Sequence, residues 1–217
     1  MLAGVIFDFD GVIVDSHPLH LVAWKAFLLS KSKHVNDADL SFVREGAKRE
    51  EILRHFLGEL TPEQIVNYGA EKDKLFQVRA GELQLVRGFV DFMTQLDAAG
   101  LPYAVATSGS RSRVEQTLRI LNLYKHFRVV VTGNDVQRGK PDPDLFLLAA
   151  QALQIDPSRI LVFEDAVAGV LAAKSAGMKC IGIAANGRES MLKQAGADLV
   201  VADFTDTSLN LFGQLFA

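Results

Sequence analysis

The sequence predicts an α/β protein: a doubly wound, Rossmann-like parallel sheet interrupted by an inserted α-helical cap subdomain. Three observations predict it. Short apolar runs alternate with helical patterns through most of the chain, and runs that are continuous suit strands buried on both faces of a parallel sheet. Acids and hydroxyls follow several of those runs directly, where open α/β sheets gather ligands. Finally, about 100 residues separate Asp8 from Thr107, which end the first two core runs, whereas a simple βαβ unit takes roughly 30.

The elements follow in order. Val5-Ile6-Phe7 is the first strand and leads into Asp8. From Pro18 to Leu29, apolar residues at Leu19, Val22, Ala23, Ala26 and Phe27 form a helical stripe. Gly46-Ala47-Lys48-Arg49-Glu50 opens another helix. Thr61 and Gln64 read as a capping box that starts a helix reaching about Ala80. No convincing strand lies in 17–86. This stretch is therefore expected to be an inserted helical subdomain, and 1–16 with 87–217 the α/β core. The joins fall near Asp15-Ser16 and Val86-Arg87-Gly88.

Phe89 to Ala99 is the next helix, closed by Gly100, and Tyr103 to Ala106 is the second core strand. Ser112 and Glu115 fit a capping box for a helix to about Leu121. Val129-Val130-Val131 is a strand. Asp142 as N-cap and Pro143 at N1 open a helix to about Leu153. Ile160 to Phe163 is a strand. Val167 to Ala176, rich in alanine and glycine, permits close packing on the sheet and stops at Gly177. Cys180 to Ile183 and Leu199-Val200-Val201 complete the sheet.

Composition narrows the function classes. The 217 residues are 49% hydrophobic and 23% charged, which excludes a disordered or fibrous chain. A net charge of −3 offers no basic surplus for nucleic acid or an anionic membrane. Cys180, the one cysteine, cannot form an internal disulfide and reads as a small buried hydrophobe. No run approaches the roughly 18 apolar residues of a membrane span, and no basic region precedes the apolar Met1–Phe7. The expectation is a cytoplasmic protein, monomeric by default, without nucleic-acid or membrane partners.

Four groups carry chemistry. Asp8 and Asp10 leave the first strand two residues apart and can point the same way. Two close carboxylates repel unless a cation such as Mg²⁺ sits between them. Thr107-Ser108-Gly109-Ser110 joins a strand end to a helix start, a natural anion site of free N–H groups and hydroxyls. Lys140 is held extended by Pro141, close to a helix start. Glu164-Asp165 follows a buried strand and suits metal ligation. Taken singly, each also reads as ordinary turn, cap or surface chemistry. Together they line one sheet edge.

In this order the groups resemble the four motifs of the haloacid dehalogenase superfamily, in its phosphatase and β-phosphoglucomutase-like branch with a helical cap. Asp8-Phe9-Asp10-Gly11-Val12 resembles the first motif, Thr107 the second, Lys140 the third and Glu164-Asp165 the fourth. The resemblance implies that Asp8 is the nucleophile, forming an aspartyl phosphate, and that Asp10 is the acid and then the base. It implies Mg²⁺ held by Asp8, the Asp10 backbone carbonyl and Asp165, with Glu164 beside them. Thr107, Ser108 and Lys140 would hold the phosphoryl oxygens. Asp10 favours phosphate over halide chemistry, because dehalogenases of this type lack an acid there.

In the cap, Ser16, His20 and Trp24 are spaced by four, apart from the apolar stripe. The resemblance places Ser16 and His20 beside the acid/base aspartate, although the mutases usually have threonine at Ser16. Lys48 and Arg49 at a helix start oppose the macrodipole and suit an anion. Arg49 matches a second-phosphate arginine, and Lys72, or Lys74 two residues on, a cap lysine. The function implied is a Mg²⁺-dependent phosphohydrolase of a small phosphorylated metabolite, a sugar phosphate. β-Phosphoglucomutase is the alternative. A phosphoacceptor receiver module fits less well, because no aspartate ends the Val131 strand and a receiver needs no cap.

Overall fold

The computed structural model describes residues 1–41, 43, 49–184, 187–205 and 207–216. Six parallel strands form one sheet: β1 (Gly4–Phe7), β4 (Tyr103–Ala106), β5 (Val129–Val131), β6 (Ile160–Glu164), β7 (Lys179–Ile183) and β8 (Leu199–Val201). Their order is β5-β4-β1-β6-β7-β8. The chain winds outward from β1 to β5, then returns to the other side of β1 and winds out to β8. The switch point lies between β1 and β6, where such sheets place ligands.

The continuous apolar runs are explained by two buried faces. Along β1, Val5 and Phe7 enter one core and Ile6 the other. The first face is aromatic: Phe7 and Phe163 stack at 5.4 Å beneath Phe92, Phe204 and Phe212. It receives α4 (Phe89–Ala98), α5 (Arg111–Ile120) and α9 (Leu209–Gly213). The second face is small-residue: Ala104 and Ala106 share one buried cluster with Ala149 and Ala150 of α6 (Asp144–Leu153), which packs on β4 and β5, and with Ala172 and Ala173 of α7 (Val167–Ser175), which packs on β6 and β7. Leu192 of α8 (Glu189–Gln194) joins them. Gly169 of α7 lies so close to Glu164 that a β-carbon there would run into its carboxyl. Cys180 is fully buried in β7, and burial raises its thiol pKa well above normal.

Between β1 and α4 the described residues form three α-helices outside the core: α1 (His17–Ser30), α2 (Arg49–Leu57) and α3 (Pro62–Gln77). They bury their own small cores, one around Trp24, Phe27 and Leu53, another around Leu19 and Phe76. The capping box of Thr61 and Gln64 is present, but α3 ends at Gln77 and a short 3₁₀ turn, Ala80–Glu82, follows. Where the sequence shows no strand, β2 (Val14–Asp15) pairs antiparallel with β3 (Gln84–Leu85). The two connecting segments thus run side by side as a ribbon, too short to carry a periodic signal. In α1, Val22 and Ala26 face solvent rather than the core, and Trp24 and Leu28 are buried instead.

Two helix starts differ from expectation. Ser112 does not cap α5; Ser110 takes the N-cap position, but its hydroxyl is committed to Asp73. Asn134 instead accepts from the Arg111 N–H at 2.9 Å. Helix α6 starts at Asp144 with Pro143 as N-cap, one residue later than expected. Asp144 pairs there with Arg138. The predicted helix opening at Gly46-Ala47-Lys48, and Lys48 with it, lies outside the described residues. No helix among the described residues is long and apolar enough to cross a membrane.

Candidate active site

The floor of the cleft is built by strand ends. Parallel register sets Phe7 level with Phe163, so the next residues, Asp8 and Glu164, emerge side by side. Lys140 arrives from the loop before α6 and bridges them: its Nζ donates to Asp8 Oδ1 at 2.5 Å and to Glu164 Oε1 at 2.6 Å. Glu164 Oε2 accepts from the Ala166 N–H at 2.7 Å. Asp165 Oδ2 lies 2.7 Å from His17 Nε2. Burial opposes a charge on His17, but the hydrogen bond and the negative charge of Asp165 raise its pKa.

Asp8, Glu164 and Asp165 are all buried and offer oxygen atoms within 4.8 Å of one another. Set against them on the floor is the ammonium of Lys140. Burial first, and then the charges of Glu164, Asp165 and Asp10, push the Asp8 carboxyl well above its usual range despite Lys140. Such a floor is short of positive charge. Hard oxygen donors and a negative excess fit a divalent cation such as Mg²⁺, so these residues could hold one. Glu164 already uses both oxygens inside the protein, which leaves Asp8 and Asp165 freer to ligate.

Asp10 follows on a tight turn. Gly11 adopts φ +79°, and Gly11 N–H bonds Val14 O at 2.7 Å. A side chain on Gly11 would also meet His17 Nε2 at 2.6 Å. The turn carries the Asp10 side chain away from the three floor acids, toward the helices. There Arg113 of α5 grips it with two hydrogen bonds, at 3.0 and 2.5 Å. Ser16 Oγ donates to Asp10 Oδ1 at 2.6 Å, and His20 Nε2 lies 3.1 Å from the same oxygen. Burial would raise this carboxyl, but the charge of Arg113 and the hydrogen bonds from His20 and Arg113 hold it well below the usual range.

The helical roof continues the chain of contacts. His20 Nδ1 lies 2.8 Å from Lys72 Nζ. A neutral imidazole accepting at Nδ1 and donating from Nε2 satisfies both neighbours. Burial, then the charge of Lys72, push the His20 pKa down to about 3. Lys72 is itself lowered to about 7, by burial and then by Arg113. Its Nζ sits 5.4 Å from the Trp24 ring and 5.2 Å from the Phe76 ring. Lys74, the other candidate, is exposed. Arg49 lines the roof and donates to Asp73 at 2.6 Å.

Between floor and roof lies the α5 start. Thr107 is buried, and its Oγ1 accepts from the Gly109 N–H at 3.1 Å. Ser108 Oγ is buried and makes no hydrogen bond among the described residues. One cleft therefore brings together Asp8, Asp10, His20, Arg49, Lys72, Thr107, Ser108, Lys140, Glu164 and Asp165, and Ser16 touches it through Asp10.

Sequence reasoning did not find Arg113, Asp73 or His17. Arg113 shares the buried side of α5 with Val114, Thr117 and Leu118. A charge on an otherwise buried helix side was the available signal. Asp73 stands next to Lys72 and carried no signal of its own, and neither did His17.

A family profile described as haloacid dehalogenase-like hydrolase matches residues 5–183. The chain is 34% identical over 208 residues to validoxylamine A 7'-phosphate phosphatase of Streptomyces hygroscopicus subsp. limoneus, covering 93% of each. It is 32% identical to β-phosphoglucomutase of Bacillus subtilis, covering 97% of this chain and 93% of that protein. Among solved structures, a hydrolase of family IA, variant 3, from Entamoeba histolytica superposes with a TM-score of 0.91 at 26% identity, over 99% of both chains.

Proposed function

The chain belongs to the haloacid dehalogenase-like hydrolases, and from that premise we propose that it is a Mg²⁺-dependent phosphohydrolase of a small phosphorylated metabolite, most simply a sugar phosphate. The carrying observation is the separation of two aspartates by one tight turn. Asp8 lies among the acids and Lys140 of the floor, and Asp10 among the polar groups of the roof. Residues 17–86 act as the cap, and 1–16 with 87–217 as the catalytic core.

In this reading a carboxylate oxygen of Asp8 attacks phosphorus, and the bond to the leaving oxygen breaks. Asp10 protonates that oxygen. The aspartyl phosphate is then hydrolysed by water that gives its proton to Asp10, which restores both groups. The grip of Arg113 keeps Asp10 ionised, the form suited to the second step; to act first as an acid it must take up a proton. Thr107, Ser108 and Lys140 orient the phosphoryl oxygens, with Ser108 Oγ free to donate. Positioning and charge carry most of the rate in phosphoryl transfer. Asp8, Asp165 and the Asp10 backbone carbonyl would hold Mg²⁺, which offsets the charge of the phosphoryl group when bound. The helices over the cleft exclude water from the reacting centre.

The test is phosphate release from a panel of sugar phosphates, with Mg²⁺ and with chelator. Metal-dependent release from at least one ester, lost in Asp8→Asn, supports the reading. No release under any condition, or release that survives Asp8→Asn, rejects it.

β-Phosphoglucomutase remains a second reading, favoured by the relative of that name and by Arg49, His20 and Lys72 on the roof. Conversion of β-glucose 1-phosphate to glucose 6-phosphate, with a catalytic amount of bisphosphate, distinguishes it from hydrolysis.

A further inference from the structure

Among the floor acids, Asp165 is held differently from its neighbours. Asp8 and Glu164 are both gripped by Lys140, and Glu164 also accepts from the Ala166 N–H. All of those partners belong to the sheet and its loops. Asp165 Oδ2 is bound instead by His17 Nε2, at 2.7 Å. His17 is the first residue of α1. One acid of the floor is therefore oriented from the helices over the cleft. The transfer chemistry leaves His17 without a task.

The pair has a single arrangement. A carboxylate oxygen only accepts, so the imidazole carries its proton on Nε2, whether the ring is neutral or charged. That bond occupies Oδ2 and leaves Oδ1 available to a cation. Gly11, in its positive-φ turn, lies against both partners: a β-carbon there would run into Asp165 Oδ2 and meet His17 Nε2 at 2.6 Å. His17 keeps 26% of its side chain exposed, so the ring is not a packing element of a core. It also lies outside the group of acids whose oxygens converge. A hydrogen bond to a metal-ligating side chain fixes its orientation before the metal arrives, and the metal then binds more tightly.

We infer that His17 is a positioning residue for the metal. Its hydrogen bond holds Asp165 turned for ligation, and the first helix over the cleft thereby contributes to metal affinity. The inference rests on the ligand set of the phosphohydrolase reading and adds to it a residue that acts through Asp165, without touching the ester.

The experiment titrates Mn²⁺ into the protein without substrate and counts the free ion by electron paramagnetic resonance. His17→Leu keeps bulk and removes the donor. His17→Gln places an amide N–H near the position of Nε2. His17→Leu is expected to weaken Mn²⁺ binding by about 10- to 100-fold, the usual loss for a partner of a metal ligand, and His17→Gln to recover most of it. The Mg²⁺ concentration that half-activates phosphate release rises by the same factor in His17→Leu, while the KM of the ester at saturating Mg²⁺ stays put. Unchanged Mn²⁺ affinity in His17→Leu overturns the inference. So does an equal loss in His17→Leu and His17→Gln, which marks a packing role, and so does a shift in the ester's KM alone, which marks a substrate contact. If His17→Leu does not fold, His17→Asn takes its place, because its amide matches Nδ1 and falls short of Oδ2. A wild-type protein that binds Mn²⁺ no better than these variants rejects the inference alone. A wild-type protein that binds no Mn²⁺ removes the metal from the phosphohydrolase reading, and the inference with it.

Discussion

At the floor of the cleft, Lys140 bridges Asp8 and Glu164 with only 3% of its side chain exposed. At the roof, Arg49 holds Asp73 with 30% of its side chain exposed. Both are close ion pairs, yet they are built differently. The floor is fixed by parallel strand register and by short steps from strand ends. The roof is assembled from side chains on different helices, Lys72 of α3 with His20 of α1, and Arg113 of α5 with Asp10. The floor carries a negative excess, whereas among the described residues of the roof Arg49 and Arg113 face carboxylates and Lys72 faces the neutral His20. The difference separates two tasks: the floor suits a cation and a phosphoryl group, and the roof suits what is attached to that group.

Asp10 is where the two regions meet, and its loss has the largest expected effect. Asp10→Asn lowers turnover by roughly 10²–10⁴-fold, the usual range for an acid–base group. Its metal titration is expected to move little, because in the proposed ligand set Asp10 contributes only its backbone carbonyl. Steady-state kinetics across Mg²⁺ concentrations read both. Normal turnover would remove Asp10 from the mechanism.

The two ion pairs differ next in stability. Lys140→Met, unfolded in chelator, loses about 3–5 kcal/mol, because it strands buried carboxylates. Arg49→Met loses less, about 1–3 kcal/mol, since Arg49 is partly exposed and Asp73 keeps the Ser110 hydrogen bond. Denaturant titration of both variants measures the gap, and equal losses would erase the contrast drawn between floor and roof.

Titration offers a third contrast. His20 is held neutral, with its pKa down at about 3, against about 6.5 in an unfolded chain. Between those values the unfolded state binds the proton and the folded state does not. His20 therefore makes stability fall as the pH drops from about 6.5 toward 3. His20→Gln is expected to flatten that part of the stability profile, measured by denaturant midpoints at several pH values. An unchanged slope would place the acid sensitivity elsewhere. The smallest effect belongs to the roof's helix start. Thr61→Ala removes the capping box of α3 and costs about 1 kcal/mol, readable as a modest shift in the thermal midpoint.

The comparison also explains what the sequence made legible. The six core strands were visible because each is a continuous apolar run, fully buried in β1, β4 and β6 and half-buried in the edge strands β5 and β8. The floor acids were visible because they follow those runs by one or two positions, where direction and depth are set by the strand. The ribbon of Val14–Asp15 with Gln84–Leu85 was not visible, since two residues per strand leave no period to read. The start of α5 was misplaced by a tertiary contact: Ser110 spends its hydroxyl on Asp73, and Asn134 does the capping. Arg113 and Asp73 depend on how helices dock across the cleft, which no local pattern encodes. Only the charge of Arg113 on a buried helix side hinted at a partner.

The central claim is that the floor, through Asp8, carries the phosphoryl group. Acid quenching during turnover with a good substrate, followed by peptide mass spectrometry, tests it most directly. The account predicts a phosphoryl adduct on the peptide containing Asp8, absent in Asp8→Asn and accumulating further in Asp10→Asn, where its hydrolysis is slowed. An adduct on another residue, such as Ser108, or turnover with no adduct at any quench time, would contradict it.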